Sequence, residues 1–98
     1  MGLDIVVQNM NHEEKYHFGD DAEDTLYKLC AAQPTTSMVR NVSRYGDTMF
    51  NRYQLGVILE QIDGIEIRTD AERQAIDQLR EAASIARRAN GYLLFIGD

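Results

Sequence analysis

The sequence predicts an α+β fold, a small mixed or antiparallel sheet with about three helices, and three observations carry that expectation. Leu3, Ile5 and Val7 alternate with Asp4, Val6 and Gln8, the period-two pattern of a strand with one buried and one mixed face. Tyr92 to Ile96 is a continuous apolar run following a closed helix, which is expected of a central strand buried on both faces. Between them, Leu55, Ile58, Leu59 and Ile62, and then Ile76, Leu79, Ala83 and Ala86, repeat at helical spacing. With 98 residues, 44% of them hydrophobic and 27% charged, the chain suffices for one modest core, so residues 1–98 are read as a single globular domain.

Each element has a local cause. After the first strand, Asn9 to Asn11 supply turn residues, and Lys15-Tyr16-His17-Phe18 returns as a second short strand with Tyr16 and Phe18 on one side. Asp20 followed three residues later by Glu23 is a variant of the helix-start box, and acids in a first turn suit the helix dipole. A helix from about Asp21 to Ala32 is therefore expected, burying Leu26, Leu29 and Cys30 and stopped by Gln33-Pro34. Met38, Val39 and Val42 make a pattern shared by a helical turn and a strand edge.

The central helix is expected to open near Thr48, with Asp47 as its cap and Gly46 adopting a backbone angle that other residues resist. It runs to about Asp63 and stops at Gly64. Ile65-Glu66-Ile67 reads as a very short strand or an extended link. Thr69-Asp70-Ala71-Glu72 is the clearest start box, since the Thr69 hydroxyl can accept the N–H three residues on while Glu72 reaches back. The helix it opens runs to Ala89, pairs Arg73 with Asp77 at i,i+4, carries Arg87 and Arg88 at its negative end, and closes at Asn90-Gly91. Its alanines imply close approach to the sheet or to the central helix. Placing the first strand beside the last would bring the chain ends together.

Gly46-Asp47-Thr48, Phe50-Asn51 and Gln54, together with the terminal Phe95-Ile96-Gly97-Asp98, resemble a group of small bacterial proteins of about this length with no established activity. The resemblance covers about a third of the chain and implies that the two polar turns belong together in one small fold.

Charge narrows the function classes. Ten Lys and Arg stand against 16 Asp and Glu, a net charge of -6, which opposes binding to nucleic-acid phosphates and favours encounter with a basic protein. Cys30 is the single cysteine, so no internal disulfide is expected, and its apolar neighbours Leu26 and Leu29 argue for a buried thiol. No secretory signal, myristoylation motif or membrane-length apolar run is visible, so the cytoplasm is the expected location.

Six acids, Glu13, Glu14, Asp20, Asp21, Glu23 and Asp24, crowd one segment and form the candidate partner-binding face. Their order does not match a calcium loop, and His12 and His17 lack the third ligand and spacing of a zinc motif, so no metal or other cofactor is expected. No catalytic motif is present, and no enzyme activity is expected. The leading expectation is a small acidic module that binds a basic protein, most concretely a bacterial immunity or inhibitor protein that neutralises a toxin. The alternative is a small-ligand or minor enzymatic domain built on a polar cluster of Asp47, Thr48, Asn51 and Asp98. A homodimer burying spare helical surface is the third.

Overall fold

The computed structural model describes residues 2–97 and places four strands in the order β2-β1-β4-β3, with every neighbouring pair antiparallel. The strands are β1 (Asp4–Gln8), β2 (Glu14–Gly19), β3 (Asp47–Phe50) and β4 (Tyr92–Ile96). Helices α1 (Thr25–Ala31), α2 (Arg52–Ile62) and α3 (Asp70–Arg88), with a 3₁₀ turn at Met38–Asn41, fill the connections. The fold is therefore α+β in its antiparallel form, and β1 and β4 take the centre, Asp4 opposite Ile96 and Gln8 opposite Tyr92.

Alternation sends Ile5 and Val7 of β1, Phe18 of β2, Phe50 of β3 and Leu93 and Phe95 of β4 into one core with all three helices. Phe50 meets Phe95 edge to face, with centroids 5.7 Å apart. Leu55, Ile58 and Ile62 come from α2, and Leu26, Leu29 and Cys30 from α1. Each large side chain fully buried this way contributes about 1.5–3 kcal/mol. The Ala82, Ala83 and Ala86 side of α3 is fully enclosed, and Ala75 is buried beside it. Small side chains let α3 pack against both candidate neighbours, the sheet and α2.

Because every helix lies on one side, β4 is not buried on both faces as its apolar run suggested. Leu93 and Phe95 are wholly enclosed, whereas Tyr92, Leu94 and Ile96 are half-buried on an uncovered face. There the cross-strand row runs His17, Val6, Leu94, Met49, with His17 and Met49 exposed, Leu94 half-buried and Val6 buried.

The helix starts also differ from expectation. Residues Asp47–Phe50 form strand β3 rather than the first turn of a helix, because the free edge of β4 takes up a segment containing the β-formers Thr48 and Phe50. The helix begins at Arg52, capped by Asn51, whose Oδ1 accepts the N–H groups of Tyr53 (3.1 Å) and Gln54 (3.0 Å) while Gln54 Oε1 accepts that of Asn51 (2.8 Å). Likewise α1 starts at Thr25, not Asp21. Asp24, at its cap position, is left-handed (φ 56°) and makes no capping bond with its own side chain.

The start box of α3 is as expected at Thr69, whose hydroxyl accepts Glu72 N–H at 3.1 Å, but Glu72 reaches back to Arg68 N–H rather than to Thr69. Arg73 and Asp77 make no ion pair, and the bridge at this level is Arg80 to Asp63 of the α2 terminus. No described glycine has positive φ, so Gly46 and Gly64 are not the left-handed residues their turns suggested; His12, Asp24 and Asn90 are. Gly91 is required by space instead, since a Cβ there would lie 1.9 Å from the Gln8 carbonyl oxygen. Ile65 to Ile67 forms no strand; it is an irregular link whose buried Ile65 donates its N–H to the Ile62 carbonyl at 3.2 Å.

Candidate functional site

The six acids expected to form one face are divided by β2, whose six residues span about 20 Å. At the hairpin end Glu13 Oε1 accepts the Asn9 side-chain amide at 2.7 Å, and Glu14 is exposed at the start of the strand. Asp20, Asp21, Glu23 and Asp24 sit at the far end, and three of them have internal partners. Asp20 Oδ1 accepts the N–H groups of Asp21 (2.9 Å) and Leu26 (2.8 Å), and its Oδ2 accepts that of Tyr27 (2.9 Å), so this carboxylate caps α1 from upstream. Asp21 accepts both the hydroxyl and the N–H of Thr25, bonds that hold its carboxyl below the usual pKa, the hydroxyl contributing most. Asp24 takes the Arg44 guanidinium at 2.8 Å, and Glu23 is exposed.

The loop after β2 folds back on the sheet through an Asp20 N–H to Leu3 carbonyl bond of 2.8 Å. That return leaves a hollow of about 410 Å³ at one end of the sheet, where Asp4, Gly19, Asp20, Ile96 and Gly97 form its walls. Asp4 was not singled out from the sequence, where it is one polar residue in an alternating strand. Antiparallel register places it directly across from Ile96, and Asp47 of β3 lies across from Ile96 on the other side. Two carboxylates therefore flank one apolar side chain on the open face. Only the strand order β1-β4-β3 reveals this pairing, which explains why local patterning missed it.

The rim is fixed by a loop crossing the end of β4. Gly97 N–H donates to the Gly46 carbonyl at 2.9 Å, and a Cβ on Gly97 would fall 2.5 Å from the Arg44 carbonyl oxygen. Ser43 Oγ accepts the Tyr45 and Gly46 N–H groups, while Thr48 Oγ1 accepts Ser43 N–H at 3.1 Å. Opposing charge at this end of the sheet is sparse among the described residues. Arg44 holds Asp24, and His17 lies 3.4 Å from Asp4.

The second candidate cluster does not assemble as one group. Asp47 and Thr48 are consecutive strand residues and point to opposite faces. Thr48 is bonded to Ser43 N–H, Asn51 caps α2, and Asp98 lies outside the described residues. His12 stacks on Tyr92 with centroids 4.6 Å apart and hydrogen-bonds Gln8 at 3.0 Å, at the hairpin end, whereas His17 belongs with Asp4. Among the described residues no three His, Cys, Asp or Glu side chains are placed to share a metal ion. Burial pushes the Cys30 thiol up to about 12, which leaves it protonated and unreactive at neutral pH.

No known protein family, curated protein or solved structure matches the chain. No described helix is long and apolar enough to cross a membrane.

Proposed function

We propose that this chain is a small protein-binding module that receives a basic protein partner at the acidic end of its sheet, in the manner of an immunity or inhibitor protein acting on a bacterial toxin. The observation that carries the reading is the hollow beside Ile96, with Asp4 and Asp20 in its walls and Asp47 on the opposite flank. An Arg or Lys side chain suits such a place, laying its stem on Ile96 and Gly97 and its charged head among the carboxylates. Asp21, Glu23 and Asp24 extend the negative field beyond the rim, and a net charge of -6 steers a basic partner towards it. On the same face Leu94 and Met49 continue from the hollow and supply the apolar contact that an interface needs at its centre.

The test uses the intact chain as bait in host lysate at low and physiological salt, beside a variant carrying Asp4→Asn, Glu23→Gln and Asp47→Asn. Asp20 and Asp21 are left intact because they hold α1. The expected result is one stoichiometric basic partner, released as salt rises and lost to the variant, with the variant's unfolding midpoint unchanged. Equal capture by the variant would refute the assignment of the hollow.

A further inference from the structure

We infer that the partner reaches the acidic end of the sheet as an extended segment that adds a strand to the free edge of β3, with a basic residue beside Asp47 and an apolar one, two positions away, beside Met49. The inference rests on the reading of that end as the site of a basic protein and gives the form in which the partner arrives.

The order β2-β1-β4-β3 leaves two edges, and they differ. On β2, Tyr16 lies opposite Val7 and Glu14 opposite Gln8, so Lys15 is an extra, unpaired residue. A bulge that carries a lysine, between Glu14 and His17, resists a visiting strand. The β3 edge has no bulge, no proline and no lysine, and its register against β4 is unbroken from Asp47 to Phe50. The direction of its backbone follows from one bond. Gly46 C=O accepts Gly97 N–H across the sheet, and alternation along the strand turns the polar groups of Thr48 and Phe50 the same way, towards β4. The N–H and C=O groups of Asp47 and Met49 therefore point outward, and none of the described residues bonds them. Such alternate backbone groups are what an added strand pairs with.

Four residues make a short edge, so side chains must add to the backbone contact and select the occupant. On the open face Asp47 ends the row Asp4, Ile96, Asp47, and Met49, 43% exposed, ends the row that passes through Leu94. The next strand out continues both rows, and a base beside Asp47 with an apolar residue beside Met49 gives two favourable cross-strand pairs. The nearest arginines in sequence are engaged elsewhere: Arg44 holds Asp24 at 2.8 Å, and Arg52 lies over the Tyr53 ring, 4.9 Å from its centroid. A second copy of the chain suits this edge less well, because each copy carries a net charge of -6 and a paired β3 brings a second Asp47 onto the same face.

A display library of random short peptides, selected against the intact protein, tests the inference. Recovered sequences should carry Lys or Arg two positions from an apolar residue. In the complex the Asp47 and Met49 amides should exchange about ten-fold more slowly, while those of Thr48 and Phe50, already bonded to β4, change little. Met49→Pro removes an outward N–H, which an edge strand tolerates, and should weaken the same peptides about ten-fold or more with the β4 amides still protected. Asp47→Lys keeps the edge and should turn the selection from basic to acidic peptides. Recovery of no peptide or of peptides without a base, unslowed exchange at Asp47 and Met49, or unchanged binding in Met49→Pro overturns the inference. So does a dimer of the free chain with those two amides protected, which assigns the edge to a second copy. Failure here is distinct from failure of the acidic site. A lysate partner lost to the charge-depleted variant, with the Asp47 and Met49 amides unprotected, keeps the site and refutes the added strand; a partner captured equally by that variant, with both amides protected, does the reverse.

Discussion

Replacing Asp20 tests whether one carboxylate holds the start of α1. That helix has seven residues, no side-chain cap at Asp24 and no acid in its first turn, so its free N–H groups depend on residues upstream. Asp20 satisfies two of them, Leu26 and Tyr27, and also accepts Asp21 N–H, at 2.8–2.9 Å. A lost cap costs about 0.5–2 kcal/mol, and a hydrogen bond to a charged group contributes about 1.5–3 kcal/mol before water replaces it. Partial exposure of Asp20 allows some replacement, so Asp20→Ala should lose about 2–4 kcal/mol in total. With a urea dependence of about 2 kcal/mol per molar, in the middle of the usual range, the midpoint should fall by roughly 1–2 M. Asp20→Asn keeps one acceptor and should fall between the variant and the parent. Asp24→Asn, which breaks a partly exposed pair with Arg44 and tolerates the left-handed backbone, should cost about 1 kcal/mol or less. The decisive measurement is the urea midpoint of all three. If Asp20→Ala leaves it within about 0.3 M of the parent, or if Asp24→Asn is the more damaging, the capping assignment is wrong.

Two further outcomes follow from the core. Gly91→Ala should cost about 2–3 kcal/mol or more, since the new carbon meets the Gln8 backbone rather than a movable side chain. Gly64→Ala, with its nearest atom at 3.5 Å and no positive φ, should be neutral or stabilising by up to about 1 kcal/mol, and equal thermal midpoints for the two variants would contradict the close approach at Gly91. Cys30 supplies a pH dependence: its thiol rises from an ordinary 9.0 to about 12 on burial, so between those values the unfolded chain releases a proton that the folded chain keeps. Its contribution is complete below pH 9.0 and is lost as pH climbs towards 12, at about 1.4 kcal/mol per unit. Cys30→Ala should remove that component of the alkaline decline in urea midpoint; an identical decline in the two proteins would show that the thiol does not ionise on unfolding.

Patterns that concern one segment at a time were legible in the sequence. The β1–β2 hairpin, the Thr69 start of α3 and the central place of β4 all follow from alternation, a hydroxyl at the right offset and an apolar run. The failures share a cause, because each depended on a partner distant in the chain. Residues 47–50 became a strand only because β4 offered an edge, and the helix start shifted to Asn51. The acids from Glu13 to Asp24 looked like one face because they are neighbours in sequence, yet a strand separates them and α1 engages two of the aspartates. Asp4 joined the site through register alone. Glycine was the most misleading signal, since Gly91 and Gly97 are needed for backbone approach while asparagine, aspartate and histidine adopt the left-handed turns.

The pairing of β1 with β4 also dictates when the molecule can fold. When β1 leaves the ribosome β2 follows it at once, but its other edge waits for residues 92–96, more than 80 residues later. Until then Ile5, Val7 and the alanine face of α3 lack the surface that encloses them, and β3 has no strand at all to join. Folding is thus deferred until synthesis has passed Ile96, and a nascent chain stalled before Tyr92 should remain protease-sensitive with its amino-terminal hairpin unprotected.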